Sequence, residues 1–142
     1  MKTSARNQFC GRVSAIQTGP INAEVDIDLN GKGKIVAVIT HESVGQLGLK
    51  VGGEAWALVK APWIIVTPDD PTIRLSTRNR LCGTIAKLVE GAVNSEVQIE
   101  LASGDIVTAT ITNESVNTLG LAEGARACAV FKANSVIVGV TV

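Results

Sequence analysis

Ser4-Ala5-Arg6-Asn7 returns later in the chain as Ser76-Thr77-Arg78-Asn79. Arginine brings a rigid fork of N–H donors, serine a hydroxyl and asparagine an amide. Such a cluster suits an oxyanion, whose oxygens accept, better than a cation or an apolar ligand. It stands at the head of each of two copies of one repeat. The chain therefore reads as a pair of small barrels suited to a compact tetrahedral oxyanion.

Further donors recur with the repeat. Thr40 and Ser43 return as Thr112 and Ser115. Their spacing suits N-capping of a helix, and a helix N-terminus also offers unpaired N–H groups to an anion, so the two roles are compatible. Lys60 and Lys132 each end a strand and precede an alanine. A strand-end lysine can simply guard a sheet edge, but its recurrence favours a point charge opposite the arginine. Asn22 and Asn94 follow a glycine turn, and either shape that turn or line a second anion site. Glu42 and Glu114 also recur. A carboxylate touching a dianion would repel it, so they are expected in the first helical turn, facing away. His41 is matched by Asn113 and reads as a surface or capping residue. Trp56 and Trp63, matched by Cys128 and Ser135, read as core or interface filler.

Catalytic constellations are missing. Neither copy holds a Ser–His–Asp set, paired carboxylates at a cleft-like turn, zinc-ligand spacing or a phosphate-binding glycine loop. The expectation is a binding protein rather than an enzyme, with no cofactor and no direct cation ligands. Cys10, Cys82 and Cys128 show no close C-x-x-C spacing, and read as buried small hydrophobes in a reducing cytoplasm.

Composition bounds the partners. Thirteen basic residues balance thirteen acidic ones, and neither half has a basic excess. That argues against a nucleic-acid or membrane surface, and any anion site must be built from a few local donors. The N-terminus has no apolar signal region and no stretch could span a bilayer, so a soluble cytoplasmic location is expected.

The elements that must position these donors follow from the repeat. Residues 3–67 align with 75–139 without a gap, and roughly 27 of the 65 pairs are identical. Within the first copy, Phe9 to Ile16 reads as a strand. Ala23 to Leu29 alternates Val25, Ile27 and Leu29 against Glu24, Asp26 and Asp28, a strand with one wet face. Asn30-Gly31-Lys32-Gly33 turns the chain into a third strand, Ile35 to Thr40. The period then changes: Glu42 to Leu47 reads as a short helix with Thr40 or His41 near its N-cap and Gly48 at its stop. Ala55 to Lys60 and Trp63 to Val66 complete five strands. This is the order of an all-β, OB-type five-stranded barrel with one short helix, twice in tandem. The expected domains are residues 1–67 and 73–142, joined by a linker over 68–72, where two prolines and two acids stand against a strand. A barrel of about 65 residues has a marginal core, so apolar surplus points to contacts between subunits.

Several stretches together resemble the molbindin (Mop) domain of molybdate-binding proteins. In the first copy these are Thr3-Ser4-Ala5-Arg6-Asn7-Gln8, Gly19-Pro20-Ile21-Asn22-Ala23-Glu24-Val25, Ile39-Thr40 with Ser43, Leu47-Gly48-Leu49 and Lys60-Ala61-Pro62. The second copy is similar, with Leu75, Thr77, Arg80 and Asn134 replacing Thr3, Ala5, Gln8 and Pro62. The resemblance covers nearly the whole chain. It implies an OB-type barrel per repeat and a homotrimer with sites between subunits, in the free-standing tandem form used for molybdenum storage and homeostasis. The implied ligand is molybdate or tungstate. One site class would use Ser4, the Ala5 N–H, Arg6, Thr40, Ser43 and Lys60; its counterpart Ser76, the Thr77 N–H, Arg78, Thr112, Ser115 and Lys132. A second class would draw on the turns at Asn22 and Asn94. Two other readings belong to different classes. One is a barrel binding nucleic acid or sugar, against which sparse aromatics and zero net charge count. The other is a purely structural oligomerisation module.

Overall fold

The computed structural model describes residues 1–142. Two five-stranded antiparallel sheets account for half of the chain, and each belongs to one of two compact units.

In the first unit, β1 (Asn7–Thr18), β2 (Asn22–Asp28) and β3 (Lys34–Thr40) form a meander, followed by α1 (His41–Leu47) and β4 (Glu54–Val59). The long strand β1 serves two partners: Asn7 to Arg12 pair with β4, and Arg12 to Thr18 pair with β2. A bulge between Val13 and Ala15 marks this change, and such a bulge bends a strand and increases its twist. Gly11 lies where β1 passes closest to β2. A Cβ there would collide with the Asp28 carbonyl oxygen. The second unit repeats the plan with β6 (Asn79–Glu90), β7 (Asn94–Glu100), β8 (Ile106–Thr112), α2 (Asn113–Leu119) and β9 (Arg126–Phe131). Its bulge falls between Ile85 and Lys87, and its close-packed glycine is Gly83, against the Glu100 carbonyl oxygen.

Alternation fills each interior. Val25, Ile27 and Leu29 are buried beside Phe9, Val13 and Ile35. Val97, Ile99, Ile85, Val107 and Phe131 do the same in the second unit. The helices end as the sequence predicts: Gly48 and Gly120 adopt φ of 63° and 64°, a left-handed conformation that costs glycine little.

The fifth strand departs from expectation. Pro62 lies in a 3-10 turn, Ala61–Trp63, and β5 is Ile65–Pro68, not Trp63 to Val66. Pro68 thus lies within a strand, opposite Ala127, rather than in the linker. It is tolerated because β5 is an edge strand with only β9 as neighbour, where a missing N–H breaks no ladder. That neighbour belongs to the second repeat. Reciprocally, β10 (Ile137–Gly139) pairs with β4 of the first. Each folded unit therefore takes its last strand from the other repeat: one unit comprises residues 1–59 and 132–142, the other 60–131. The expected division at 67 and 73 follows the sequence repeat, whereas the compact units divide at Val59/Lys60 and Phe131/Lys132.

The cysteines also differ from expectation. Cys82 and Cys128 are directly opposite across β6 and β9 and joined as a disulfide, while Cys10 is free and exposed. Only Cys128 is a fully buried small hydrophobe. No helix is long and apolar enough to cross a membrane.

Candidate functional site

The Ser-x-Arg-Asn strings lead into the first strand of each unit. Ser4, Arg6, Ser76 and Arg78 are exposed, while Asn7 and Asn79 are buried. Strand alternation separates them: one residue of the string turns inward while its predecessor turns out. The Asn7 amide donates to the Val59 carbonyl at 3.0 Å, tying the start of β1 to the end of β4. The asparagine is thus a fastening for the string rather than one of its outward donors. The turn before β1 is held further by Gln8, whose amide donates to the carbonyls of Ala5 and Thr3. The Ala5 N–H donates to the Thr3 hydroxyl at 3.2 Å. In the second copy Arg80 replaces Gln8, and donates to the Asp70 carbonyl instead.

Thr40 is the N-cap of α1. Its Oγ1 accepts from the Ser43 N–H at 3.1 Å and lies 2.7 Å from the Ser43 hydroxyl. Thr112 and Ser115 reproduce this at 3.1 and 2.8 Å. One proton is spent between the two hydroxyls, so each pair keeps one hydroxyl proton to offer outward. Glu42 lies in the first turn of α1, as expected, and accepts from the Gln46 amide one turn along the helix.

Sheet register places Asn22 directly opposite Thr40, and Asn94 directly opposite Thr112. The Asn22 carbonyl accepts from Gly19 and the Ile21 carbonyl from His41, closing the turn against the helix start. The two expected site classes are therefore neighbours in the sheet. In the first unit this turn borders an open groove of about 350 Å³, lined by Gln17, Thr18, Asn22 and Glu24 among others. A carboxylate and no cation line it, which suits an anion poorly within this unit alone.

The lysines fall the other way round from their sequence order. Lys132 belongs to the unit of Arg6, Thr40 and Ser43, and Lys60 to that of Arg78, Thr112 and Ser115. Lys132 leads into the 3-10 turn Ala133–Ser135, which packs against β3, the strand ending at Thr40. Lys60 leads into the turn Ala61–Trp63, which packs against β8, ending at Thr112. The Lys60 ammonium lies 5.5 Å from the Trp63 ring centre, a cation–π distance. Trp63 is thus a partly exposed platform for that lysine and does not fill the core of this unit. Trp56 is half-buried, and its indole N–H has no partner.

Comparison with known proteins follows the sequence repeat. The TOBE domain matches residues 3–66 and 75–138. The chain is 46% identical over 140 residues to "Molybdenum transport protein ModE" of Azotobacter vinelandii, covering 99% of this chain and 52% of that protein. It is 39% identical over 137 residues to "Molybdenum-pterin-binding protein MopA" of Rhodobacter capsulatus, covering 96% and 52%. The chain spans about half the length of these curated relatives. A crystal structure of the cytoplasmic molybdate-binding protein ModG with molybdate bound superimposes with a TM-score of 0.94. It is 50% identical, and the match covers 99% of this chain and 100% of that one.

Proposed function

The chain belongs to the TOBE-domain family, with one Mop-like copy per repeat, and from that premise we propose that it binds molybdate, and tungstate with it, as a molybdenum store. The observation that carries the reading is the duplicated donor set. An exposed arginine, a Thr–Ser hydroxyl pair at a helix start and a strand-end lysine occur once in each unit. Molybdate is a tetrahedral dianion with four accepting oxygens and no proton to donate. It needs several donors and moderate positive charge, and this set supplies both. The 50% identity to a molybdate-bound protein of the same fold supports the choice of oxyanion.

In this reading Ser4, Arg6, Thr40 and Ser43 act with Lys132, and Ser76, Arg78, Thr112 and Ser115 with Lys60. The N–H groups of Ala5 and Thr77 add donors once the Thr3 hydroxyl yields the first of them. The sites lie between subunits of a homotrimer, which lets a chain of zero net charge gather enough positive charge. The Asn22 and Asn94 turns form the second class, completed by other subunits that dilute the Glu24 charge. The role is binding, not catalysis, in the cytoplasm.

Isothermal titration of gel-filtered protein with molybdate tests this. Saturable heat with a fixed stoichiometry is expected; no heat at millimolar molybdate would defeat the reading. Lys132→Ala should weaken the same class of site as Arg6→Ala, and Lys60→Ala the same class as Arg78→Ala. The reverse pairing would show that a neighbouring subunit supplies the lysine.

A further inference from the structure

The two repeats differ at one cross-strand pair. In the first, Cys10 of β1 faces Trp56 of β4. In the second, the equivalent Cys82 of β6 faces Cys128 of β9, with Cα atoms 3.9 Å apart and the sulfurs bonded. Cys128 is fully buried and Cys82 only partly so. The exposed Asp69 carboxylate lies within 4.8 Å of both sulfurs, and it holds Arg126 at 3.1 Å and Arg80 at 3.9 Å.

We propose that Cys82 and Cys128 form a reversible thiol–disulfide couple, opened and closed by a low-molecular-mass thiol and its disulfide, with Cys82 the sulfur that is attacked. This is independent of the oxyanion reading. Three observations carry it. Access is one-sided, because only Cys82 reaches the surface, and exchange requires an incoming thiolate to reach a sulfur. Second, the fold does not depend on the bond. The first unit has the same strand order, the same register and an equivalent bulge with Cys10 and Trp56 at this position, so opening the bond leaves a strand pair that stands without it. Third, the one carboxylate shown beside the sulfurs, Asp69, is itself paired with Arg126 and Arg80. That pairing offsets its repulsion of a released thiolate.

The exchange balances without any other reactant. An external thiolate attacks Sγ of Cys82, forming a mixed disulfide and breaking the Cys82–Cys128 bond. Cys128 leaves as a thiolate and takes a proton from water. A second external thiolate attacks the external sulfur of the mixed disulfide and releases Cys82. Two external thiols are thus oxidised to one disulfide, and the protein disulfide is reduced to two thiols. Oxidation runs the same steps backwards.

The test uses the full chain carrying Cys10→Ser, which removes the exposed thiol. Native protein is equilibrated in glutathione buffers from reduced to oxidised, quenched in acid, alkylated with a maleimide and weighed by mass spectrometry. The expected result is a reversible two-electron change between forms with two free thiols and none. The mixed disulfide trapped early in reduction should map to Cys82 by peptide analysis. With Cys128→Ser added, Cys82 should accumulate a glutathione adduct; with Cys82→Ser instead, the adduct on Cys128 should be lost. If the Cys128 variant does not fold, the peptide mapping still decides. Exchange only in denaturant would make the bond a fixed staple and overturn the proposal. So would two thiols at every buffer ratio, a first adduct on Cys128, or protection of both thiols from maleimide by zinc ion alone.

Discussion

Arg6 is a proposed ligand donor and its neighbour Asn7 a structural fastening, and substitution should separate them. Arg6→Ala removes a charge-assisted donor, so molybdate affinity in its class of site should fall by about 1.5–3 kcal/mol. Asn7→Ala removes the amide that satisfies the Val59 carbonyl in a buried setting. It should cost about 1–3 kcal/mol of stability, measured by denaturant unfolding. A residue-level argument also bears on specificity. Near neutral pH, phosphate carries a proton for much of the time, and that proton needs an acceptor. The proposed lining offers donors, and Glu42 is occupied along its helix by Gln46. Phosphate should therefore compete poorly with molybdate in displacement titrations, with sulfate, which carries no proton, excluded less strongly. Phosphate displacing molybdate at equal concentration would reveal an acceptor in the site.

At the scale of elements, each α-helix depends on its cap. Thr40→Ala removes the acceptor for the Ser43 N–H and should cost about 1 kcal/mol of stability, together with a loss of oxyanion affinity. Thr40→Ser should keep the cap. Strand crossing depends on two glycines: Gly83→Ala pushes a methyl into the Glu100 carbonyl, and thermal unfolding should show a loss of about 1–3 kcal/mol. The segment between β5 and β6 is fastened rather than loose. Arg126 and Arg80 hold Asp69, and the Thr72 hydroxyl and N–H both donate to the Asp70 carboxylate. The Thr72 side-chain bond, then its backbone bond, hold the Asp70 carboxyl below its ordinary value. A lowered folded value means that this contribution is present above the unfolded carboxylate pKa and lost as pH falls through the folded one. Thr72→Val should move the Asp70 titration upward, part of the way to an ordinary aspartate, as read by carboxyl NMR.

At the scale of the whole molecule, apolar side chains remain outside. Ile21 and its counterpart Val93 are 75% and 69% exposed, and Ile65 and Ile137 are 56% and 52%. The same positions are left open in both repeats, so the exposure belongs to the design of the unit rather than to one loop. Such surface is what subunit contacts bury. Light scattering at micromolar concentration should give three times the 14.8 kDa chain mass, and a monomeric mass would remove the basis for shared sites. Molybdate at a hundredfold excess over Kd should stabilise the folded assembly by about 2.7 kcal/mol, visible as a rise in melting temperature.

What the sequence determined by itself is everything that depends on near neighbours. Alternation in Glu24 to Leu29 marked a half-buried strand, Thr40 three residues before Ser43 marked the helix start, and Gly48 marked its end, because each is decided within one turn or one strand. The duplicated Ser-x-Arg-Asn string is legible for the same reason. Tertiary structure alone decided which repeat completes which sheet. Ile65-Val66 and Ile137-Val138 are the same dipeptide, so either strand offers the same side chains to β4 or β9. The choice rests on long-range chain closure, to which a local pattern is blind. That choice carries Lys60 and Lys132 into the opposite units, and it seats Thr67 beside Cys128. The disulfide was illegible for a related reason: Cys82 and Cys128 are 46 residues apart in sequence, and only the pairing of β6 with β9 sets them face to face.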